Sequence, residues 1–600
     1  MAELTPIILC LSRAGEATAH RVANALGAPV HGREGRVDKA DAYFPNALDH
    51  ARMLFQAGYP VIGVCAAGIL VRAVAPVLAD KHIEPPLIAI PDDGSTVIPL
   101  LGGHHGANRL AKEIAGALGT HAAITTAGDV SLGIALDEPP AGWRLANPED
   151  AKPVMMAMLN GQKPIIDGEN IWDIESGSGP VKLVTSEAPV QTGETVLAYH
   201  PLRFALGLGC ARGCSPDEMW DLVQECLRAA NIAPQAIAAV VSLDLKADEP
   251  AMIDTAKRLG VPLRVFTAAE LEAEAARLAN PSEVVFAEVG CHGVAEGAAL
   301  ALAGPKARLV VEKHKTLNAT CALARAPAPM VALNGRARGK LAIVSIGPGQ
   351  HSWRTPEASM LIAGADELVG YGLYIDLLGP LAVGKQRSDF PLGGEEDRCR
   401  YALEQAGKGK SVALVCSGDA GIYAMGALVY ELLDRGPEAM GVSDAARRVE
   451  VVSTPGVSAL QGAAARAGAP LGHDFCAISL SDLLTPRDDI LKRLKAAAEG
   501  DFVIAFYNPV SKRRRTLLAE ARDILLGHRP AGTPVMLASS LGRPEEALRY
   551  VRLADLQVDD VDMLTVVLVG SSHSKLATLG EGMRMYTPRG YARKIDGDLS

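Results

Sequence analysis

Three short segments within residues 341–600 carry most of the chemistry this sequence offers, and each joins an apolar run to a glycine-bearing turn. The first reads Ile343-Val344-Ser345-Ile346-Gly347-Pro348-Gly349. In the second, Val412–Cys416 leads into Ser417-Gly418-Asp419-Ala420-Gly421-Ile422-Tyr423. In the third, Val449–Ser453 runs into Thr454-Pro455-Gly456-Val457-Ser458-Ala459, ahead of a helix over Leu460–Ala467. A buried strand ending in such a turn presents open backbone at the carboxyl edge of a sheet, where α/β proteins bind small molecules, and Asp419 adds a carboxylate there. The first segment is not a dinucleotide fingerprint, because the GxGxxG spacing is missing and Pro348 removes an amide donor.

Two other groups could do chemistry. Gly102-Gly103-His104-His105-Gly106 opens a helix over Ala107–Leu118, so free amides at a helix start meet two imidazoles, a setting suited to an oxyanion or a carboxylate. Cys210, Cys214 and the Cys291-His292 pair have the residue types of a zinc site, but they lie far apart and lack CxxC spacing, so buried thiols are the stronger reading. The run Lys512-Arg513-Arg514-Arg515 is either a solvated helix start or a contact for anionic groups.

The elements that must position these residues fall into four regions. Residues 1–148 alternate apolar strands (Ile7–Leu11, Val61–Val64, Leu87–Ile90, Ala122–Ile124) with helices (Glu16–Leu26, Ala107–Leu118), which predicts a mostly parallel sheet. Residues 149–200 are irregular and read as a middle or linker domain. Alternation resumes over 201–330, with strands at Phe204–Leu208, Ala238–Leu243, Leu263–Phe266 and Leu309–Val311 and a helix over Pro216–Ala229. A Pro/Gly-rich, basic stretch over Ala326–Lys340 marks a boundary, and the strand Leu341–Ile346 opens the last region, 341–600. The fold class is therefore α/β and multidomain.

Composition sets the outer bounds. Six hundred residues is several times a usual domain of roughly 150, and 48% apolar with 21% charged residues is an ordinary globular balance. The net charge of −10 and an aromatic content of 4% speak against a nucleic-acid partner. No run of eighteen apolar residues occurs, so no membrane span is expected, and the start lacks a cationic leader. Ten scattered cysteines suit reduced thiols in a cytoplasmic protein.

Taken together, the three turns resemble the tetrapyrrole methylase family of S-adenosylmethionine-dependent enzymes over nearly all of 341–600. Further blocks narrow the resemblance to the precorrin-3B C(17)-methyltransferase branch, the ring-contraction enzymes of cobalamin synthesis. These blocks are Gly370-Tyr371 with Tyr374, Ser479-Leu480-Ser481-Asp482-Leu483-Leu484-Thr485-Pro486, Asp501 to Pro509 with its Tyr507-Asn508-Pro509 end, and Thr587-Pro588-Arg589-Gly590-Tyr591. The resemblance implies two α/β lobes, a homodimer, and a methyl donor folded between the lobes. Carried over by position, Pro348, Gly418, Asp419, Ala420, Tyr423, Val457 and Ser458 would contact the methyl donor from the first lobe, and Tyr507, Asn508 and Ala538 from the second. No metal is required for transfer from a sulfonium. Ring contraction needs proton movement and expulsion of a lactone oxygen, for which Asp482, His473 and Tyr507 are the acid–base candidates. A polycarboxylate macrocycle calls for cations, and Lys385, Arg387, Lys512, Arg513 and Arg543 are the candidates.

Residues 1–330 resemble the cobalt-precorrin-5A hydrolase family, on Gly63 to Arg72, Asp92-Asp93-Gly94, Leu100 to Asn108, Gly207 to Gly213, Glu288 to Glu296 and Glu312-Lys313-His314-Lys315. The resemblance itself assigns no catalytic roles; on physical grounds His104 or His105 would activate water, the Gly103 and Gly106 amides would hold an oxyanion, and Arg72 and Lys81 would hold substrate carboxylates. The alternative is a noncatalytic module that binds a corrinoid intermediate. Either way the fusion suggests transfer of intermediates to other enzymes of the corrin pathway. Methylation of RNA is a third reading for 341–600, disfavoured by the lack of a basic–aromatic surface.

Overall fold

The computed structural model describes residues 4–81, 83–511 and 514–595. The described strands form six sheets, the first four one after another along the chain and the last two interleaved. The first has seven strands and is parallel at its centre, where Ile7–Cys10, Val61–Val64 and Leu87–Ile90 are buried along their whole length, as strands covered on both faces must be. Its helices Glu16–Leu26 and Ala107–Leu118 end at Gly27 and Gly119, both left-handed, the conformation that lets glycine close a helix. Strand Thr96–Leu101 runs antiparallel to Leu87–Ile90, with Leu87 opposite Leu101.

A four-stranded sheet (Trp143–Leu145, Val196–Pro201, Lys182–Thr185, Ile165–Asp167) and a six-stranded sheet around Phe204–Cys210 come next. Trp143–Leu145 belongs to the second sheet and Arg336–Ala337 to the edge of the third, so the sheets overrun the expected boundaries at 148 and 330.

Residues 340–586 form two lobes. In the first, five parallel strands lie in the order Gln386–Phe390, Glu367–Tyr371, Ser411–Cys416, Lys340–Ser345, Glu450–Ser453. In the second, Phe475–Ser479, Val503–Tyr507, Thr565–Val569, Pro534–Ser539 and Ala547–Arg552 make a mixed sheet, with a small three-stranded sheet beside it. The carboxyl ends of Phe475–Ser479, Val503–Tyr507 and Pro534–Ser539 share one edge, because the last two flank the same antiparallel strand.

The modules are packed together. Phe44, Ala51 and Leu54 of the first share one apolar cluster with Ile362, Leu378 and Leu381 of the first lobe. Arg336–Ala337 pairs with Leu263–Phe266, while the Arg338 guanidinium donates to the Arg448 and Val449 carbonyls, which ties the third sheet to the lobe. Among the described residues no single helix is long and apolar enough to cross a membrane, although the bent pair Glu283–Val289 and Val294–Ala303 passes that test jointly.

Candidate functional site

The three glycine-bearing turns meet at the carboxyl edge of the first lobe. Gly347 and Gly418 exchange both backbone hydrogen bonds, at 3.2 and 2.9 Å, so the first turn is zipped to the second. Ser345 is fully buried; its hydroxyl donates to the Thr454 carbonyl at 2.6 Å and accepts from the Ala420 amide at 2.9 Å. One side chain thus joins all three turns. Asp419 joins the second and third, accepting from the Gly421 amide through one oxygen (2.8 Å) and the Gly456 amide through the other (3.0 Å). Gly456 must be glycine here, since a Cβ would lie 2.4 Å from the Gly418 carbonyl oxygen. Asp419 and Ala420 line a pocket of about 350 Å³, with Tyr430 and Ser453-Thr454-Pro455 on its wall. That volume lies within the range of small-molecule sites.

The second lobe closes on these turns. The Tyr507 hydroxyl accepts from the Leu460 amide at 2.9 Å and bonds Ser458, so it caps the helix Ala459–Ala467 that follows the third turn. Burial raises its phenol above the ordinary value. Asn508 donates to Ser479 at 3.1 Å, Tyr423 donates across to the Ala477 carbonyl at 2.8 Å, and Ala538 is buried beneath. Tyr423, Asn508 and Ser540 all adopt φ near +50°, a cost for side-chain-bearing residues that structures tolerate mainly at functional sites. The lobes approach closely at Gly349 and Gly542: a Cβ on Gly349 would meet the Leu541 oxygen at 2.6 Å, and one on Gly542 the Gln350 nitrogen at 2.8 Å. Above them Arg543 donates through Nε to the Pro348 carbonyl at 3.2 Å. The structure therefore gathers Pro348, Gly418, Asp419, Ala420, Tyr423, Ser458, Tyr507 and Asn508 around one cleft, with Val457 in the third turn. An extended ligand that needs backbone amides and close approach fits this cradle.

Other expectations need correction. Lys385 precedes the strand Gln386–Phe390 and so sits at the amino edge of the sheet, away from the cleft. Its ammonium donates to the Ala363 and Ala365 carbonyls, and burial lowers it to about 8. Arg387 is neutralised by Asp376 at 2.7 Å and Asp389 at 2.6 Å, which leaves little charge for a substrate. His473 is exposed at the amino end of Phe475–Ser479, roughly 17 Å of strand from the cleft edge, and bonds its neighbour Asp474. Tyr507 is committed to a helix start, which removes it as an acid–base group. Asp482 lies beyond the carboxyl end of the same strand, 3.8 Å from Arg487 and 3.9 Å from Arg514. Lys512 and Arg513 lie outside the described residues.

In the first module the histidine turn is also misplaced. It follows Thr96–Leu101, which is antiparallel to its neighbour, so Gly102–Gly106 lies at the amino edge against Pro85 and Pro86. The Gly106 amide already faces the Glu138 carboxylate at 3.3 Å, which occupies the place expected for an oxyanion. His105 is exposed, and the His104 side chain lies outside what the structure describes. Arg72 folds back onto the Gly68 carbonyl at 3.1 Å, and Lys81 is exposed in the loop before Leu87–Ile90. The carboxyl edge of this sheet instead carries Ser12, whose hydroxyl donates to Asp92 at 3.1 Å, a pair the sequence did not single out. Ser345 was missed as well; its only signal is a small polar residue at the end of an otherwise apolar strand. Among the described residues no three histidine, cysteine or acidic side chains converge as a metal site.

The tetrapyrrole (corrin/porphyrin) methylases match residues 340–557, and the N- and C-terminal regions of cobalamin synthesis protein G match residues 49–129 and 204–324. A precorrin-3B C(17)-methyltransferase from a Sinorhizobium species is 43% identical over 255 residues, 42% of this chain and 98% of that protein. A probable cobalt-factor III C(17)-methyltransferase from Salmonella typhimurium is 44% identical over 251 residues, 42% of this chain and 99% of that protein. The crystal structure of the methyltransferase CobJ shares 39% identity, covering 42% of this chain and all of that one, with a TM-score of 0.38.

Proposed function

Since the chain belongs to the tetrapyrrole methylase family through residues 340–557, we propose that it methylates precorrin-3B at ring carbon 17, with contraction of the ring, in cobalamin synthesis. The observation that carries this reading is the cradle of three turns held by Ser345 and Asp419 and closed by Tyr507. S-adenosylmethionine is the methyl donor, and its sulfonium supplies a methyl group already activated for transfer. What remains for the chain is alignment and exclusion of water, which in favourable cases supplies on the order of 7–11 kcal/mol. The glycine approach at Gly349 and Gly542 brings the lobes together over the cleft, and Asp419, held by two amides, keeps the second and third turns in fixed register. Of the acid–base candidates, Asp482 remains beside the cleft, its carboxylate 3.8 Å from Arg487 and 3.9 Å from Arg514, and the proposal gives it the proton movement of ring contraction.

The family also implies a homodimer, and a cytoplasmic setting follows from its pathway; both are parts of the proposal. Residues 1–330 are read as the cobalt-precorrin-5A hydrolase-like module of the same pathway. The Glu138 carboxylate on the Gly106 amide favours the second reading, in which this module holds a corrinoid intermediate and passes it on without hydrolysis. The test is incubation of the full chain with precorrin-3B and methyl-labelled S-adenosylmethionine. Gain of one label with the absorbance change of a contracted ring is expected; an unlabelled pigment refutes the assignment. The same chain given the lactone intermediate separates the two readings of residues 1–330. A hydrolase releases the two-carbon aldehyde, and a carrier only binds.

A further inference from the structure

Removal of Lys385 and Arg387 from the cleft leaves the acidic arms of the macrocycle with few partners, yet two other guanidinium groups stand there without a carboxylate. Arg398, on the first turn of the helix Glu395–Gly407, is 2% exposed. Its Nη2 donates to the Pro391 carbonyl at 2.9 Å and its Nη1 lies 3.2 Å from the Met425 sulfur, while its buried Nε has no partner. Arg543 reaches from the second lobe to the Pro348 carbonyl. Among the described residues neither is ion-paired, whereas Arg387, Arg400 and Arg466 nearby each hold an acid.

Tyr374 shares the carboxyl edge of the first-lobe sheet with both of these cations: it follows a strand flanked by Gln386–Phe390, past whose end Arg398 holds the Pro391 carbonyl, and by Ser411–Cys416, whose other neighbour leads to the Pro348 carbonyl held by Arg543. It follows the strand Glu367–Tyr371 at its carboxyl end and packs edge-on against Tyr371, ring centroids 5.2 Å apart at 85°. Burial raises its phenol, and Arg543 and then Arg398 oppose that shift. Its hydroxyl makes no hydrogen bond among the described residues. A buried cation lacking a counter-ion is expensive, and the expense disappears when a ligand brings the anion. A carboxylate accepts from a phenol and from a guanidinium at once, and two aromatic faces beside it can bury the flat body of a macrocycle. Tyr374 also belongs to none of the three turns that form the methyl-donor cradle.

We propose that Tyr374 and Arg543, backed by the buried Arg398, form a clamp for one acidic side chain of the tetrapyrrole. The clamp determines which macrocycle is accepted and how it is oriented. This rests on the tetrapyrrole reading given above.

The test uses the full chain and two separate titrations, S-adenosylhomocysteine by calorimetry and uroporphyrin III, a stable polycarboxylate macrocycle, by absorbance. Tyr374→Phe removes a single hydroxyl and should weaken uroporphyrin binding about ten-fold, with S-adenosylhomocysteine affinity held within about two-fold. Arg543→Gln should weaken uroporphyrin at least as much. A uroporphyrin with its acidic arms converted to amides should bind the wild type and Tyr374→Phe alike. Thermal melts confirm that both variants are folded. Unchanged uroporphyrin binding in both folded variants overturns the clamp. So does a Tyr374→Phe variant that loses S-adenosylhomocysteine in place of the macrocycle. If the wild type binds neither probe, the methyltransferase reading itself falls and takes the clamp with it.

Discussion

Ser345 shows how much one small side chain can do in this cleft. From the end of the strand that leads into the first turn, its hydroxyl bonds the amide of the second and the carbonyl of the third. Ser345→Ala removes two bonds and leaves the Ala420 amide unsatisfied in a buried place, so a loss of about 1–3 kcal/mol is expected from the urea midpoint. Binding of S-adenosylhomocysteine should weaken alongside it, because the turns lose their register. Asp419 is the half-buried counterpart, and its two amide bonds hold the second and third turns together beside the pocket it lines. At this scale the sequence was most informative where chemistry follows directly from backbone, as in the glycine turns. It misled where only residue type was available. Lys385 and His473 have suitable side chains, but each precedes its strand and so falls at the end of its sheet away from the cleft. Tyr507 at a strand end reads equally as an acid–base group and as a helix cap, and only the position of Leu460 decides between them.

At the scale of elements, long amphipathic helices with a glycine stop were legible to their ends, as with Glu16–Leu26 and Ala107–Leu118. The strand Thr96–Leu101 was not. Its direction is set by pairing with Leu87–Ile90, which no local pattern encodes, and it carries the histidine turn to the far edge. Arg308–Lys315 showed only its apolar Leu309–Val311 piece, since the remainder is mostly charged and exposed. Two predictions belong here. Gly349→Ala puts a methyl 2.6 Å from the Leu541 oxygen, which must push the lobes apart. S-adenosylhomocysteine affinity should fall at least ten-fold, on the order of 1.4 kcal/mol, with little change in the stability of either lobe. The second concerns the buried pair His31 and His50, which joins the strand Val30–Arg33 to the helix Ala47–Gln56 through a 3.0 Å bond. Burial, the leading cause for both, lowers His31 to about 4 and His50 to about 3. In the unfolded chain both rings take up protons near pH 6.5, so their stability contribution is whole above that value and is lost as pH falls from 6.5 towards 4. Melting temperatures across that window should therefore fall, and His50→Leu should flatten the fall by about half.

The same helix Ala47–Gln56 connects this module to the whole molecule. It lies on Pro356–Ala363, the helix that leaves the first turn of the cleft, and the two contribute to one apolar cluster. Arg354 is buried at this seam, its Nε on Ser359 at 3.0 Å and its Nη2 3.7 Å from the Met53 sulfur. Desolvation lowers its pKa to about 10, the sign of a cation held in place by packing more than by charge. At the other end, the Arg336–Ala337 strand and the Arg338 guanidinium leave the chain between modules little freedom. Two modules on separate flexible tethers would gain only local concentration, whereas modules that share a core are fixed in orientation. Deletion of residues 1–126, which ends past the last strand of the first sheet and spares the second, should then uncover Ile362, Leu378 and Leu381 and lower the melting temperature of the remaining methylase lobes by on the order of 5 °C. Self-association of the shortened chain, read by sedimentation velocity, is the expected companion of that loss, because a newly exposed apolar face seeks another partner. A shortened chain that melts with the full-length transition and sediments unchanged would mean that the seam contributes nothing, and that the fused modules work as neighbours only.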